Sequence, residues 1–119
     1  MRSDLICHCG CGQGANQIQP ELLSRLSQLE SEIGSVKISS GYRCPKHNAE
    51  VGGEPNSAHT RGYAIDIDCG SDGHYVRKVL VRCIPIFQRV GISAKTGSTA
   101  KFIHMDCSPE LPQNVIWSY

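Results

Sequence analysis

The sequence predicts an α+β fold: a small, mainly antiparallel sheet packed with helices, in one domain over residues 1–119. Three observations point there. Apolar residues recur at helical spacing in two separate stretches. Short segments of strand-like alternation lie between and after them. Two of those segments flank a Gly/Ser/Thr-rich stretch at 95–100 that reads as a hairpin turn.

Each element follows in order. The N-terminal segment, rich in Cys and Gly, reads as irregular. Pro20 stands at a first helical position, and Leu22, Leu23, Leu26, Leu29 and Ile33 follow at helical spacing before Gly34 ends the run. Residues 36–39 alternate apolar and polar as a short strand, and 40–43 read as a turn. Pro45 opens a short helix through Val51, stopped by Gly52 and Gly53, and 54–61 read as a loop. Residues 63–68 form a strand with Ile65 and Ile67 on one face and Ala64, Asp66 and Asp68 on the other. A further helix carries Val76, Val79, Leu80, Cys83 and Phe87, and Pro85 is expected to kink or break it. Residues 91–94 and 101–106 are the arms of the hairpin.

Composition narrows the function. Apolar residues make up 39 % of the chain, enough for a modest core, and the net charge of +1 gives no electrostatic reason to expect nucleic acid or an anionic membrane. No run approaches the roughly 18 apolar residues of a membrane-spanning helix, and the N-terminus lacks an apolar signal core. The expectation is a monomer made in the cytoplasm, reaching any external substrate only after release. Seven cysteines leave at least one thiol unpaired in a monomer. Cys7, Cys9 and Cys11 lie closer together than the usual zinc-knuckle ligands. Cys83 falls on the helical apolar stripe, and Cys69 and Cys107 point to the core side of their strands. Mostly reduced, structural cysteines are expected. The alternatives are a disulfide from the N-terminal cluster to Cys44 and a second, Cys/His metal site there.

The chemistry concentrates in Ser-Ala-His-Thr-Arg-Gly-Tyr-Ala-Ile-Asp at 57–66 and Phe-Ile-His-Met-Asp at 102–106. His59, Asp66 and His104 can close three corners of a tetrahedral zinc site and leave the fourth open for water, the layout of a catalytic zinc. Asp106 lies two residues beyond His104, so on a strand it shares that face and would stand beside the open corner as a base. Burying carboxylates costs several kcal/mol unless they are paired or metal-bound. A solvated polar face explains either strand alone; two such strands plus His59 favour a metal site.

Those segments, with Ser-Gly-Tyr-Arg-Cys-Pro-Lys-His-Asn at 40–48 and Val-Gly-Gly at 51–53, resemble the zinc D-Ala-D-Ala carboxypeptidase family. That family includes peptidoglycan endopeptidases and phage endolysins and shares its fold with the Hedgehog signalling domain. The likeness covers about 22–117 and is greatest to small bacterial and phage-encoded members, which also end in Pro then Trp, as at Pro112 and Trp117. It implies a zinc cofactor held by His59, Asp66 and His104, and Arg43 as a substrate-binding fork for a carboxylate or carbonyl. Ser57 is implied either to bind substrate or to brace the loop. Many relatives place a catalytic carboxylate three residues before the last His, where this chain has Lys101. A subgroup ending in His-x-Asp fits better, which makes Asp106 the expected general base and Asp68 the reserve. The implied activity is hydrolysis of peptidoglycan peptides, as a D-Ala-D-Ala carboxypeptidase or cross-link endopeptidase. The expected partner is a peptidoglycan peptide, with neither nucleic acid nor membrane. The rival readings are a non-enzymatic, zinc-stabilised binding module and a structural phage component whose site has lapsed.

Overall fold

The computed structural model describes residues 2–94 and 101–119. Helix α1 spans Pro20–Ile33 and buries Leu22, Leu26 and Leu29, each burial contributing roughly 2 kcal/mol. It ends where Gly34 adopts φ 86° and donates its N–H to Glu30 O, a left-handed exit that suits glycine. Helix α2 spans Pro45–Glu50, and α3 spans Gly73–Cys83 with the Asp72 carboxylate accepting from the N–H groups of His74 and Tyr75. Ile84 keeps helical dihedrals (φ −54°, ψ −47°) and donates its N–H to Leu80 O, but Pro85 has no N–H to carry the ladder on. Helix α3 therefore stops at Cys83, and Phe87 joins the core from beyond the helix.

The strands are β1 (Ile38–Ser40), β2 (Ala64–Gly70), β3 (Arg89–Ser93), β4 (Lys101–Asp106) and β5 (Val115–Ser118). They form one sheet in the order β1-β2-β4-β3-β5. All neighbours are antiparallel except β3 and β5. Both hairpin arms are therefore present, and the turn expected at 95–100 lies outside the described residues. Several details differ from the sequence reading, among them the bounds of β2, expected at 63–68, and of β3, expected at 91–94. β1 starts at Ile38 rather than at residue 36. The loop before β2 contains a 3-10 turn at Ala58–Arg61. β5 was not foreseen, because four residues are too few to display a period.

The sheet has two unlike faces. Ile65, Ile67, Ile103, Met105 and Val90 share a core with the α1 leucines and with Val76, Val79 and Cys83 of α3. The opposite face is ordered by register. Asp66 pairs with His104, His104 with Gly91, and Gly91 with Trp117, forming one row across four strands. The next row sets Ala64, Asp106, Arg89 and Val115 side by side. Asp66, His104 and Asp106 thus meet on the face turned away from the core.

Candidate metal centre

His59 reaches this face from the 3-10 turn. Ser57 caps that turn, its Oγ accepting from the His59 N–H at 3.2 Å, and Gly62 closes it at φ 79°. The His59 ring is 1 % exposed, and its Nδ1 lies 2.7 Å from Gly41 O. A carbonyl only accepts, so the proton sits on Nδ1 and the Nε2 lone pair turns inward. Nε2 is 3.2 Å from Asp66 Oδ1 and 3.2 Å from His104 Nδ1. The third side of the triangle, His104 Nδ1 to Asp66 Oδ1, is 2.9 Å.

These distances bear directly on zinc. A tetrahedron with bonds of about 2.0–2.1 Å sets neighbouring donors about 3.3 Å apart. The two nitrogens and one oxygen approach that spacing on all three sides. The outer ring nitrogens are also engaged, His59 by Gly41 O and His104 by Asp106 Oδ2 at 2.6 Å. Metal-ligating histidines are oriented by such contacts.

Charge follows the same geometry. Burial works against ionisation of Asp66, but its contacts with His104 and then His59 outweigh it and hold the carboxyl well below the usual range. Burial pushes the His59 pKa down, favouring the neutral ring that a metal needs. Burial also opposes charge on His104, yet its contacts with Asp106 and Asp66 prevail and raise its pKa.

Asp106 occupies a different place from the one expected. It shares the strand face of His104, but it contacts Nε2, while Nδ1 is the nitrogen turned to Asp66 and His59. The imidazole ring therefore stands between Asp106 and the donor triangle. The carboxylate is 0 % exposed, its Oδ1 lying 2.9 Å from Arg89 Nε and accepting from the Ser108 N–H at 3.2 Å. Arg89 was not anticipated, since an ion pair between neighbouring strands emerges only with the register. Its guanidinium also donates to Pro112 O at 2.7 Å and lies 5.1 Å from the centre of the Trp117 ring. That ring sits 5.4 Å from the His104 ring. Asp68, the reserve carboxylate, is engaged elsewhere, with Lys37 Nζ at 3.2 Å and the Gly70 N–H at 2.8 Å.

The triangle opens into a cleft of about 820 Å³, also lined by Arg43, Ser57, Phe102, Trp117 and Tyr119. Arg43 is half-buried, and its Nε is buried without a hydrogen-bond partner among the described residues. Burial lowers its pKa, opposed by the nearby charge of Asp66. An unmatched buried donor is costly unless something arrives to accept from it. Tyr119 was missed in the sequence, having no motif of its own. Ser57 is seen bracing the loop and also lines the cleft.

A two-His, one-Asp donor set on a sheet face at the bottom of a cleft defines the class of a candidate metallohydrolase. The comparisons with known proteins are more specific. A family model described as Peptidase M15 matches residues 1–106. The chain belongs to this family, of the zinc D-Ala-D-Ala carboxypeptidase type. No curated protein matches it. No helix among the described residues is long and apolar enough to cross a membrane.

Proposed function

We propose that this chain is a zinc peptidase that hydrolyses peptide bonds in peptidoglycan stem or cross-link peptides. The observation that carries the reading is the triangle of His59 Nε2, Asp66 Oδ1 and His104 Nδ1, with sides of 2.9–3.2 Å, at the bottom of a cleft that Arg43 also lines. Zinc held by these atoms supplies a Lewis acid for the scissile carbonyl and lowers the pKa of an attacking water.

The protein's part is binding and orientation. Asp66 brings the single negative charge of the donor set. Gly41 O fixes the tautomer of His59. Asp106 orients His104 and strengthens its basicity, with Arg89 balancing the buried charge. In this reading Asp106 acts through His104 as a positioning residue, in place of the general base suggested by its spacing. Arg43 holds a carboxylate or carbonyl of the substrate, satisfying its unmatched Nε. Stem peptides end in carboxylates, which suits that donor. Trp117 and Tyr119 wall the cleft and keep bulk water from the polarised bond.

Digestion of purified peptidoglycan by the zinc-loaded protein, beside a chelated control, tests the proposal. Fragments that vanish with the chelator sustain it, and their masses name the bond. Absence of cleavage by protein carrying metal on His59, Asp66 and His104 would transfer the site to a binding role.

A further inference from the structure

A second donor cluster lies away from the cleft. We infer that Cys7, Cys9, Cys11 and Cys44 form a structural site for one thiophilic divalent cation, zinc foremost, bound by four sulfurs. All four Sγ atoms lie within 4.8 Å of one another. Cys7 and Cys9 are 3.4 Å apart, and Cys9 and Cys44 are 3.7 Å apart. Four sulfurs bound at about 2.3 Å around a tetrahedral zinc lie about 3.8 Å from one another. The site is independent of the peptidase reading.

The tight Cys-x-Cys-x-Cys spacing has a backbone solution. Gly10, between Cys9 and Cys11, adopts φ 88°, and Gly12, just after Cys11, adopts φ 76°. The left-handed step at Gly10 turns the chain inside the cluster, so three sulfurs within five residues converge on the fourth, and Gly12 turns the chain away after it. Backbone amides complete the surroundings. The N–H of Cys44 donates to Cys7 Sγ at 3.4 Å, that of His47 to Cys44 Sγ at 3.4 Å, and that of Gln13 to Cys11 Sγ at 3.5 Å. N–H groups aimed at sulfur in this way are the contacts that orient metal-bound sulfur ligands.

A disulfide describes the cluster less well. All seven cysteines are free. A disulfide would need two sulfurs at about 2.05 Å and would leave the other two crowded against it. One ion uses all four.

The location supplies a purpose. Two residues before Cys7 is Leu5, whose carbonyl accepts from the Tyr42 N–H at 2.9 Å. Gly41 packs so closely that a Cβ there would lie 2.7 Å from Leu5 Cα. The same stretch delivers Gly41 O to His59 and Arg43 to the cleft. A metal tying Cys7, Cys9 and Cys11 to Cys44 therefore staples the N-terminal segment against the loop that orients His59.

Cobalt(II) loading of the full chain, purified under reducing conditions, tests the site. Wild type is expected to bind two ions and to show a near-ultraviolet thiolate-to-cobalt charge-transfer band. The double variant His59→Ala/His104→Ala should bind one ion and keep the band. Cys9→Ser/Cys11→Ser, changed at two exposed residues, should bind one ion, lose the band and melt earlier. A cobalt-loaded wild type with no thiolate band overturns the inference, as does a native mass already lowered by disulfide formation within the cluster. One ion accompanied by the band in wild type keeps the cysteine site and refutes the His59, Asp66 and His104 site instead.

Discussion

The two donor groups are held by different kinds of structure. Asp66 and His104 face each other in the register of β2 and β4, and His59 joins them from a 3-10 turn closed by Ser57 and Gly62. The cysteine group takes three of its four sulfurs from residues 7–11, which contain neither helix nor strand. Hydrogen bonds of the sheet position the first group during folding. The second depends on a left-handed glycine, Gly10, and on a contact with Cys44 across 35 residues. A sheet pair with one capped turn beside it can hold three donors at ligand spacing and leave a corner for substrate. An irregular segment must give all four corners to the ion, because the ion is what orders it. Binding energy at the first site is available to chemistry, and at the second it goes into structure.

The largest predicted effect comes from breaking the sheet-borne site. His104→Ala removes one corner of the triangle and the ring that Asp106 and Trp117 contact. Turnover on peptidoglycan should fall by roughly three or more orders of magnitude, since several kcal/mol of Lewis-acid stabilisation are lost. Metal analysis should show one ion lost and the cysteine-bound ion kept. Loss of both would mean that the two sites are not independent, and the contrast drawn above would collapse.

Arg43→Ala should come next. A charged hydrogen bond to substrate is worth about 1.5–3 kcal/mol, so kcat/KM should fall roughly 10- to 150-fold. Metal content should be unchanged, because the Arg43 side chain supplies no donor atom to the triangle and its hydrogen bond to His59 O is made by the backbone N–H, which the substitution keeps. Arg43→Lys should rescue little, a point charge lacking the fork. Full activity in either variant would remove Arg43 from the substrate site.

What was legible in the sequence divides along the same line. Helix α1 was readable from end to end because Pro20 and Gly34 mark its limits and its leucines keep one period. The meeting of His59, Asp66 and His104 was readable because strand alternation assigns side chains to faces. Alternation does not say which ring nitrogen turns inward, so the position of Asp106 behind His104 was not readable. Arg89 was hidden for a related reason: its pairing depends on β3 lying beside β4 with Arg89 opposite Asp106. The cysteine cluster was visible as a count but not as a geometry, since its convergence depends on the φ of Gly10 and on Cys44 lying beside it.

Asp106→Asn sharpens the account of the sheet site. Asparagine can still accept from His104 Nε2, but it carries no charge to strengthen the ring and leaves the partly buried Arg89 without its counter-ion. Metal affinity at the first site should drop about 10- to 100-fold, the usual effect of altering a ligand's hydrogen-bond partner. Competitive titration with a chromophoric chelator reads this directly. Turnover should recover as zinc is raised to saturation. A variant that binds zinc normally yet stays inactive at saturation would return Asp106 to the role of base.

The smallest effect is predicted at Gly91, between the metal ligands and the C-terminal strand. It lies opposite both His104 and Trp117, and a Cβ added there would fall 2.6 Å from Trp117 Cε2. The Gly91→Ala methyl is anchored to a central strand, so the indole must move. Loss of its contacts with His104 and Arg89 should cost about 1 kcal/mol of stability, at the low end for overpacking, and lower kcat/KM a few-fold. Melting temperature and the emission of Trp117, the chain's one tryptophan, report the displacement. Zinc affinity should hold, because Asp66, His104 and His59 take their positions from β2, β4 and the 3-10 turn rather than from β5. If affinity falls together with the indole shift, the C-terminal strand belongs to the scaffold of the metal site, and the sheet-borne site shares the dependence on distant segments that otherwise marks the cysteine cluster.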